Sequence, residues 1–384
     1  MRILAVGGGS GGHVTPVVAV LKELRANDPN VELRFWCDTK FSSQAKGIVS
    51  AFDDTIVVET IISGKLRRYH HLNLWQHLMW TSLMWSNVKD MVRVVGGFFQ
   101  SLWKLILWRP DVVFTKGGFV CLPVGIAARI LGIPLVIHDS DAHPGLTNRV
   151  LSRWATKIAT GAPLEYYNYP KDKSTYVGIP INQAFHVFSA EEQKKAKLKW
   201  NVSADKPLIV VTGGGLGARR LNDTILRVLP ELKSRASVIL VSGKGQYDDL
   251  RKRIPKDSKT FQLHAFVNTM YELLGAADVV ITRAGATTIL ELAALQKPTI
   301  LVPNAALTGG HQVKNAAVYG DAQVAIVLDE DEMIENTQQL IDAIDSYLND
   351  HKTTAVMTKR FGKFARPNAA KDMAQLIISA ANKV

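Results

Sequence analysis

Twice along the chain a short apolar run empties into glycines and then into a helical pattern. ILAVGGGSGGH occupies 3–13, and PLIVVTGGGLGA occupies 207–218. A strand that stops on glycines and resumes as a helix is the opening unit of a parallel sheet with right-handed crossovers. After the first unit come VVAVLKELRA (17–26) as an amphipathic helix, then the strand-like runs ELRFWC (32–37), IVVET (56–60), DVVFT (111–115) and LVIH (135–138). After the second come SVILVSG (237–243), DVVITRAG (278–285) and TILVP (299–303). This alternation predicts an α/β protein of two Rossmann-like parallel-sheet domains. The first is expected over 1–165, a polar, proline-bearing linker over 166–180 and the second domain over 181–351. A helical segment over 352–384 is too short to be a domain and is expected to pack back on the first.

The composition allows two such cores. Of 384 residues, 47% are hydrophobic and 21% charged, which leaves little room for long disorder. Cys37 and Cys121 are too few for a disulfide framework, and no CxxC or His/Cys cluster suggests zinc. The apolar start is too short for a signal peptide, so secretion is not expected. The longest stretch without Asp, Glu, Lys or Arg, Tyr69 to Val88, carries histidines, asparagines and a glutamine, which are costly in hydrocarbon; no transmembrane helix is read. The net charge of +12 favours an anionic partner: nucleic acid, acidic lipid or a phosphorylated substrate.

The glycine turns carry the chemistry. A strand-to-helix turn aims free N–H groups and the positive end of a helix dipole at one point, which suits phosphate. Gly7, Gly9 and Gly12 fit GxGxxG, with Asp38 placed like a dinucleotide's ribose acid. His13 lies just inside the helix start, where the dipole favours a neutral imidazole able to act as a general base. Further glycine turns, TKGGFVCLP (115–123), TGGGLGARRLN (212–222) and TRAGATTILELAA (282–294), spread over both halves. Four turns point to a ligand crevice between two domains rather than to a dehydrogenase with one nucleotide fold.

Taken in order, these motifs resemble the MurG family of the GT-B superfamily, which transfers N-acetylglucosamine to a lipid-linked muramyl-peptide. GGSGGH (8–13), GGFV (117–120), HDSDAHPGLTNRVLSRWA (138–155), GGGLGARRLN (213–222), RAGATTILELAA (283–294) and GGHQVKNA (309–316) carry the resemblance across nearly the whole chain. It implies two domains facing a central cleft and an inverting transfer from UDP-N-acetylglucosamine to the muramyl 4-hydroxyl of a polyprenyl-pyrophosphate acceptor. It also implies a peripheral protein at the cytoplasmic face of the membrane, working in peptidoglycan synthesis without cofactor or metal.

For the donor, the resemblance implies Glu291 on the ribose hydroxyls, and Phe266 and the Val267 backbone at the uracil. Gly285, Ala286, Thr287 and Thr288 would receive the diphosphate, Gln312 and Asn315 the sugar, and Gly215 the third loop's contact. For the acceptor it implies Gly9, Ser10, Gly11, Gly12, Gly117 and Gly118 around the pyrophosphate. His13, together with Asp141, is expected to deprotonate the acceptor hydroxyl.

Departures from the family pattern are local. Gly215 and Leu216 stand where Ser and Gln are usual, and Asn182 where Arg is usual, with Arg219 or Arg220 a possible replacement cation. Asp139 and Asp141 replace Glu and Asn. Asp139-Ser140-Asp141 spells DxD, chemically able to bind magnesium, but the resemblance uses helix dipoles in place of metal. Between 64 and 109, Trp75, Trp80, Trp85, Trp103, Trp108, Phe98 and Phe99 alternate with Lys65, Arg67, Arg68, Lys89, Arg93, Lys104 and Arg109. About half are expected to be core and the rest an anionic-membrane face. Nucleic acid is not expected, since no RRM, KH or OB pattern accompanies them. The competing readings are a related enzyme with another lipid acceptor, a UDP-sugar 2-epimerase, a non-catalytic member with a decayed donor loop, and an NAD-dependent oxidoreductase.

Overall fold

The computed structural model describes residues 1–8, 11–65, 81–215, 217–254, 257–306 and 310–382, with the side chains of 11–13 and 81–84 outside that description. It divides into two compact units, Met1–Asn182 with Arg366–Val384, and Gln183–Ala365.

In the first unit, seven strands form one parallel sheet: β1 (Arg2–Val6), β2 (Glu32–Asp38), β3 (Val57–Ile61), β4 (Val112–Thr115), β5 (Leu135–Asp139), β6 (Lys157–Thr160) and β7 (Ser174–Tyr176). Their order is 3-2-1-4-5-6-7. The second unit repeats the winding with β8 (Leu208–Thr212), β9 (Ser237–Val241), β10 (Phe261–His264), β11 (Val279–Thr282), β12 (Thr299–Leu301) and β13 (Ile326–Val327), in the order 10-9-8-11-12-13. Each sheet reverses direction of growth at its first strand. The crevice outside the carboxyl ends of β1 and β4, and of β8 and β11, is therefore the expected ligand position.

The unbroken apolar runs of the sequence follow from burial on both faces. In β1, Ile3 and Ala5 share a core with Val17, Leu21 and Leu24 of the helix Gly11–Asn27, while Leu4 and Val6 share the opposite core with Trp36, Leu105 and Val124. The carboxyl-terminal stretch splits. The helix His351–Phe361 lies in the second unit, whereas Ala369–Ala381 lies in the first, where Met373, Ala374, Ile377 and Ala380 complete the core beside Gly11–Asn27. The stretch 166–180, expected to be a linker, carries β7, and the first unit extends to Asn182. As a sheet edge flanked on one side only, β7 is short and polar, so its sequence reads as loop.

Among the described residues no helix is long and apolar enough to cross a membrane. The helix Thr81–Trp108 is nonetheless apolar on two faces. Val94, Leu105 and Trp108 are buried, while Trp85 and Trp103 are 62% and 65% exposed.

The two switch-point loops of the first unit touch. Gly118 has φ +92°, and a Cβ there would lie 2.8 Å from the Gly8 carbonyl oxygen. Gly118→Ala is predicted to cost about 1–3 kcal/mol from left-handed strain plus this collision. Gly96→Ala, in open space on the helix Thr81–Trp108, is predicted to be neutral or stabilising. Thermal melting followed by circular dichroism separates the two; equal midpoints for both variants would contradict the close approach.

Candidate active site

In the first unit the carboxyl ends of β4 and β5 enclose a cavity of about 180 Å³, lined among others by Lys116, Gly117, Gly118, Asp139, Asp141 and Asn148. Lys116 is only 2% exposed. Its Nζ lies 2.8 Å from His138 Nδ1 and donates to Ser140 Oγ. The other imidazole nitrogen, Nε2, donates to the Gly178 carbonyl at 2.7 Å, so in the neutral ring Nδ1 is the acceptor. Asp139 accepts from the Tyr169 hydroxyl at 2.8 Å, and Asn148 Nδ2 donates to the His138 carbonyl. Burial dominates the charges. It pushes Lys116 down to about 7 against the opposing pull of Asp141 and Asp139, and pushes Asp139 up to about 7 despite the Tyr169 hydrogen bond.

The residues expected around an acceptor divide. Gly117 and Gly118 line the cavity, Asp141 stands with them, and Gly11 and Gly12 open the helix after β1. Gly9 and Ser10 lie outside the described residues, as does the side chain of His13. Asp38 is not a free ribose acid: its carboxylate caps the turn Thr39–Phe41, accepting from the amides of Lys40 and Phe41 at 3.1 and 3.2 Å. That removes the dinucleotide reading's second feature. Beside the DxD carboxylates the fold sets the Lys116 amine, and among the described residues no group of three or more His, Cys, Asp or Glu is placed to hold a metal ion.

In the second unit, Gly213–Gly217 leads from β8 to the helix Arg219–Arg235, and Ala284–Gly285 leads from β11 to Ala286–Leu295. Neither helix has a side-chain cap or an acidic residue in its first turn, so the leading N–H groups stay open to an anion. Gly217 has φ +75°, and a Cβ there would lie 2.1 Å from the Ser242 carbonyl, which pins the loop to the end of β9. Gly215 is exposed at the loop's tip; Leu216 lies outside the described residues.

Thr287, Thr288 and Glu291 lie on one face of Ala286–Leu295. Glu291 has no hydrogen bond or ion pair among the described residues. Burial alone pushes its carboxyl up to about 8, although the residue is partly open to solvent. Phe266, half exposed under the Lys244 ammonium, and Val267, buried with no main-chain hydrogen bond among the described residues, follow β10.

One of the two expected sugar contacts is already committed. Asn315 Nδ2 donates to the Ala284 carbonyl at 3.2 Å and is 2% exposed, so it holds the glycine turn rather than presenting its amide to a sugar. Gln312 spends its carbonyl oxygen on the Asn304 amide at 2.9 Å and keeps its amide nitrogen. Arg220 is no substitute for the missing Arg at 182, because it is committed to Glu330 and Asp331; Arg219 is 64% exposed and 3.7 Å from Asp249.

Sequence reading missed Glu330. This carboxylate accepts from Arg283, just before the glycine turn after β11, and from Arg220, just inside the helix after β8. It ties the two turns together. The long separation in sequence left no local signal.

Comparisons with known proteins decide the family. The glycosyltransferase family 28 N-terminal domain matches residues 3–160, and its C-terminal domain matches 208–375. A UDP-N-acetylglucosamine–N-acetylmuramyl-(pentapeptide) pyrophosphoryl-undecaprenol N-acetylglucosamine transferase of Bacillus licheniformis is 34% identical over 97% of this chain and 96% of its own. The proteins of the same name from Lachnospira eligens and Bacillus subtilis are 36% and 32% identical, over 88% and 96% of this chain and 88% and 97% of theirs. The chain belongs to this transferase family.

Members of the family share the fold seen here. The crystal structure of Acinetobacter baumannii MurG matches 98% of this chain and 99% of its own at a TM-score of 0.71 and 24% identity. A UDP-GlcNAc 2-epimerase from Neisseria meningitidis matches 99% of this chain and 100% of its own at 0.65 and 13% identity, which is likeness of fold only. Within this family member, Glu330→Gln leaves Arg283 buried without its anion. We predict a loss of about 3–5 kcal/mol in the second unit's stability, against less than about 1 kcal/mol for Arg220→Met at the half-exposed end. Urea denaturation checks the ranking, which a larger effect of Arg220→Met would reverse.

Proposed function

We propose that this chain is the inverting transferase that moves N-acetylglucosamine from UDP-N-acetylglucosamine to the muramyl 4-hydroxyl of a polyprenyl-pyrophosphoryl muramyl-peptide, a step of peptidoglycan synthesis. The observation that carries the donor assignment is Glu291, an unpartnered and largely desolvated carboxylate one turn inside a helix whose N-terminus is open. A carboxylate so placed is completed by a ribose diol, and the amides of Ala286, Thr287 and Thr288 by the diphosphate. Those amides stabilise the charge that develops on departing UDP, at no reorganisation cost, because the fold has already aimed them.

The acceptor hydroxyl attacks the anomeric carbon as the bond to UDP breaks. In the first unit Asp141 lines the cavity, and His13 follows β1 as the third residue of its helix; on this reading they help to deprotonate the acceptor hydroxyl. Transfer of labelled sugar from UDP-N-acetylglucosamine to the lipid-linked acceptor, with EDTA as control, tests the assignment; donor hydrolysis without transfer would refute it.

Glu291 also sets a pH dependence. Its carboxyl is raised to about 8 when the site is empty, and ribose hydroxyls bond the ionised form. UDP affinity should therefore rise with pH, by up to about tenfold per unit, and level off above about 8, with proton release on binding. Glu291→Ala should weaken UDP by about 1.5–3 kcal/mol above pH 8, and Glu291→Gln should flatten the profile. Calorimetry at pH 6, 7, 8 and 9 reads both; an unchanged profile in the Gln variant would remove the ribose assignment.

The same reading places the protein on the cytoplasmic face of the membrane, at an anionic surface. Along Thr81–Trp108 the exposed residues Trp85, Val88, Val92, Val95, Phe99, Trp103 and Ile106 recur every three or four positions, a stripe of about 32 Å. Lys89 stands over the Trp85 ring and Arg93 is exposed beside it. Trp108 and Lys104 belong to the protein instead: Trp108 donates to Glu32, and Lys104 to Glu59. Trp75 and Trp80 lie outside the described residues. Replacing Trp85 and Trp103 by serine should lower sedimentation with anionic vesicles while UDP affinity stays within twofold. Salt should release the wild type only in part, because it screens charge and leaves indole burial untouched. Full retention of the double variant on vesicles would point to another membrane face.

A further inference from the structure

We propose that Lys116 is a catalytic residue of the acceptor site, the base that takes the proton of the attacking hydroxyl. The proposal rests on the reading of the first-unit cavity as the acceptor's place and departs from it in the base: Lys116 takes the proton, and His13 and Asp141 assist. Lys116 stands at the carboxyl end of β4, at the switch point of the sheet, and lines the cavity with Ser140, Asp139 and Asp141.

Its nitrogen is held by two acceptors. His138 Nδ1 must accept, since Nε2–H is given to the Gly178 carbonyl, and Ser140 Oγ takes a second N–H. An uncharged amine has two N–H groups and one lone pair. With both N–H groups spent, the lone pair occupies the remaining tetrahedral position of Nζ, which has no protein partner among the described residues.

The charges around it suit a proton acceptor. His138 and Asp139 end β5 and Asp141 follows it, Cys121 opens the helix Cys121–Ile130, and Lys65 lines the cavity from the segment after β3. Tyr169 bonds Asp139 from beyond. Burial keeps the lysine near 7, low enough for the free amine to be populated at neutral pH, and the two aspartates stabilise the ammonium once it forms.

The carboxylates also select the ligand. A sugar hydroxyl gives its proton to the amine while its neighbours bond the carboxylates.

The step balances. The O–H bond of the acceptor breaks toward the Nζ lone pair, giving the ammonium, and the oxygen pair forms the new bond to the anomeric carbon. The bond from that carbon to the diphosphate oxygen breaks, and UDP leaves with its electrons.

The test compares Lys116→Met, Lys116→Arg and Asp141→Asn with the wild type in transfer assays across pH 5.5–9. UDP calorimetry and circular dichroism report whether the donor site and the fold are intact. Expected are a wild-type profile rising with pH through a midpoint near 7, and at least a 100-fold fall in kcat for both lysine variants with the KM for the donor within twofold. The arginine variant keeps the charge but cannot take a proton, so it should fail like methionine. Asp141→Asn should keep the rising limb.

Rescue by arginine would make the residue a fixed cation and overturn the proposal. So would more than a tenth of wild-type turnover in Lys116→Met with the limb near 7 retained. Absence of transfer in the wild type would instead remove the acceptor reading. Titration of the Lys116 side chain by NMR on lysine-labelled protein then tests the remaining half of the claim: a midpoint near 7 supports it, and one above 9 overturns it.

Discussion

A parallel strand has to be followed by a crossover helix, and the crossover can be covered only if both faces of the sheet are buried. The carboxyl edge is then the one border where strand ends, tight turns and helix N-termini all gather. Both sheets obey this constraint, and the candidate site side chains gather on that edge: Lys116 after β4, Asp139 at the end of β5 and Asp141 beyond it, Phe266 and Val267 after β10, and Glu291 inside the helix after β11. The winding order puts the open crevice at β1/β4 and β8/β11 in the two units. The glycines serve that geometry, since Gly118 and Gly217 allow turns to approach neighbouring carbonyls within distances that no Cβ tolerates.

The same low dielectric that strengthens the core sorts its ionisable groups into two kinds. Arg283 and Glu330 are both buried, and each finds its counter-charge, with Arg220 sharing the carboxylate from the surface. Such a pair fixes two turns and has nothing left to offer a ligand. Lys116 is buried and Glu291 largely desolvated, each without a full complement of partners among the described residues, and desolvation drives both toward their neutral forms. A desolvated group with one vacant bonding position is poised to respond to whatever supplies the missing partner. On the proposed function that partner is a diol in the second unit and a hydroxyl in the first.

The helix Thr81–Trp108 is apolar on two faces that meet different surroundings. One face is settled by Leu105 and Trp108 in the core, and the other carries apolar residues that no described residue of the unit covers. Gln100 Nε2 bonds the Thr60 carbonyl, and Lys104 bonds Glu59, so the polar side chains at the flank anchor the helix to β3. The apolar stripe is thereby held facing outward.

The sequence by itself determined the α/β winding, because runs such as ILAV and LIVVT are too short and too apolar for anything but strands buried on both faces, and the glycines after them terminate those strands. It also singled out Glu291 and the two helix starts as candidate site elements, through the ordered motifs. Edge elements were not legible: β7 and β13 are short and lie at the ends of their sheets, where no apolar pattern is required. Tertiary structure alone decided which motif residues are free and which are spent. Asp38, Arg220 and Asn315 have suitable chemistry but already hold a turn, a carboxylate and a carbonyl. Lys116 acquires its character from His138, 22 residues away, and Arg283 its anion from Glu330, 47 residues away. A side chain's bonding capacity is local, but what satisfies it is set by chain closure, and only the folded backbone carries that information.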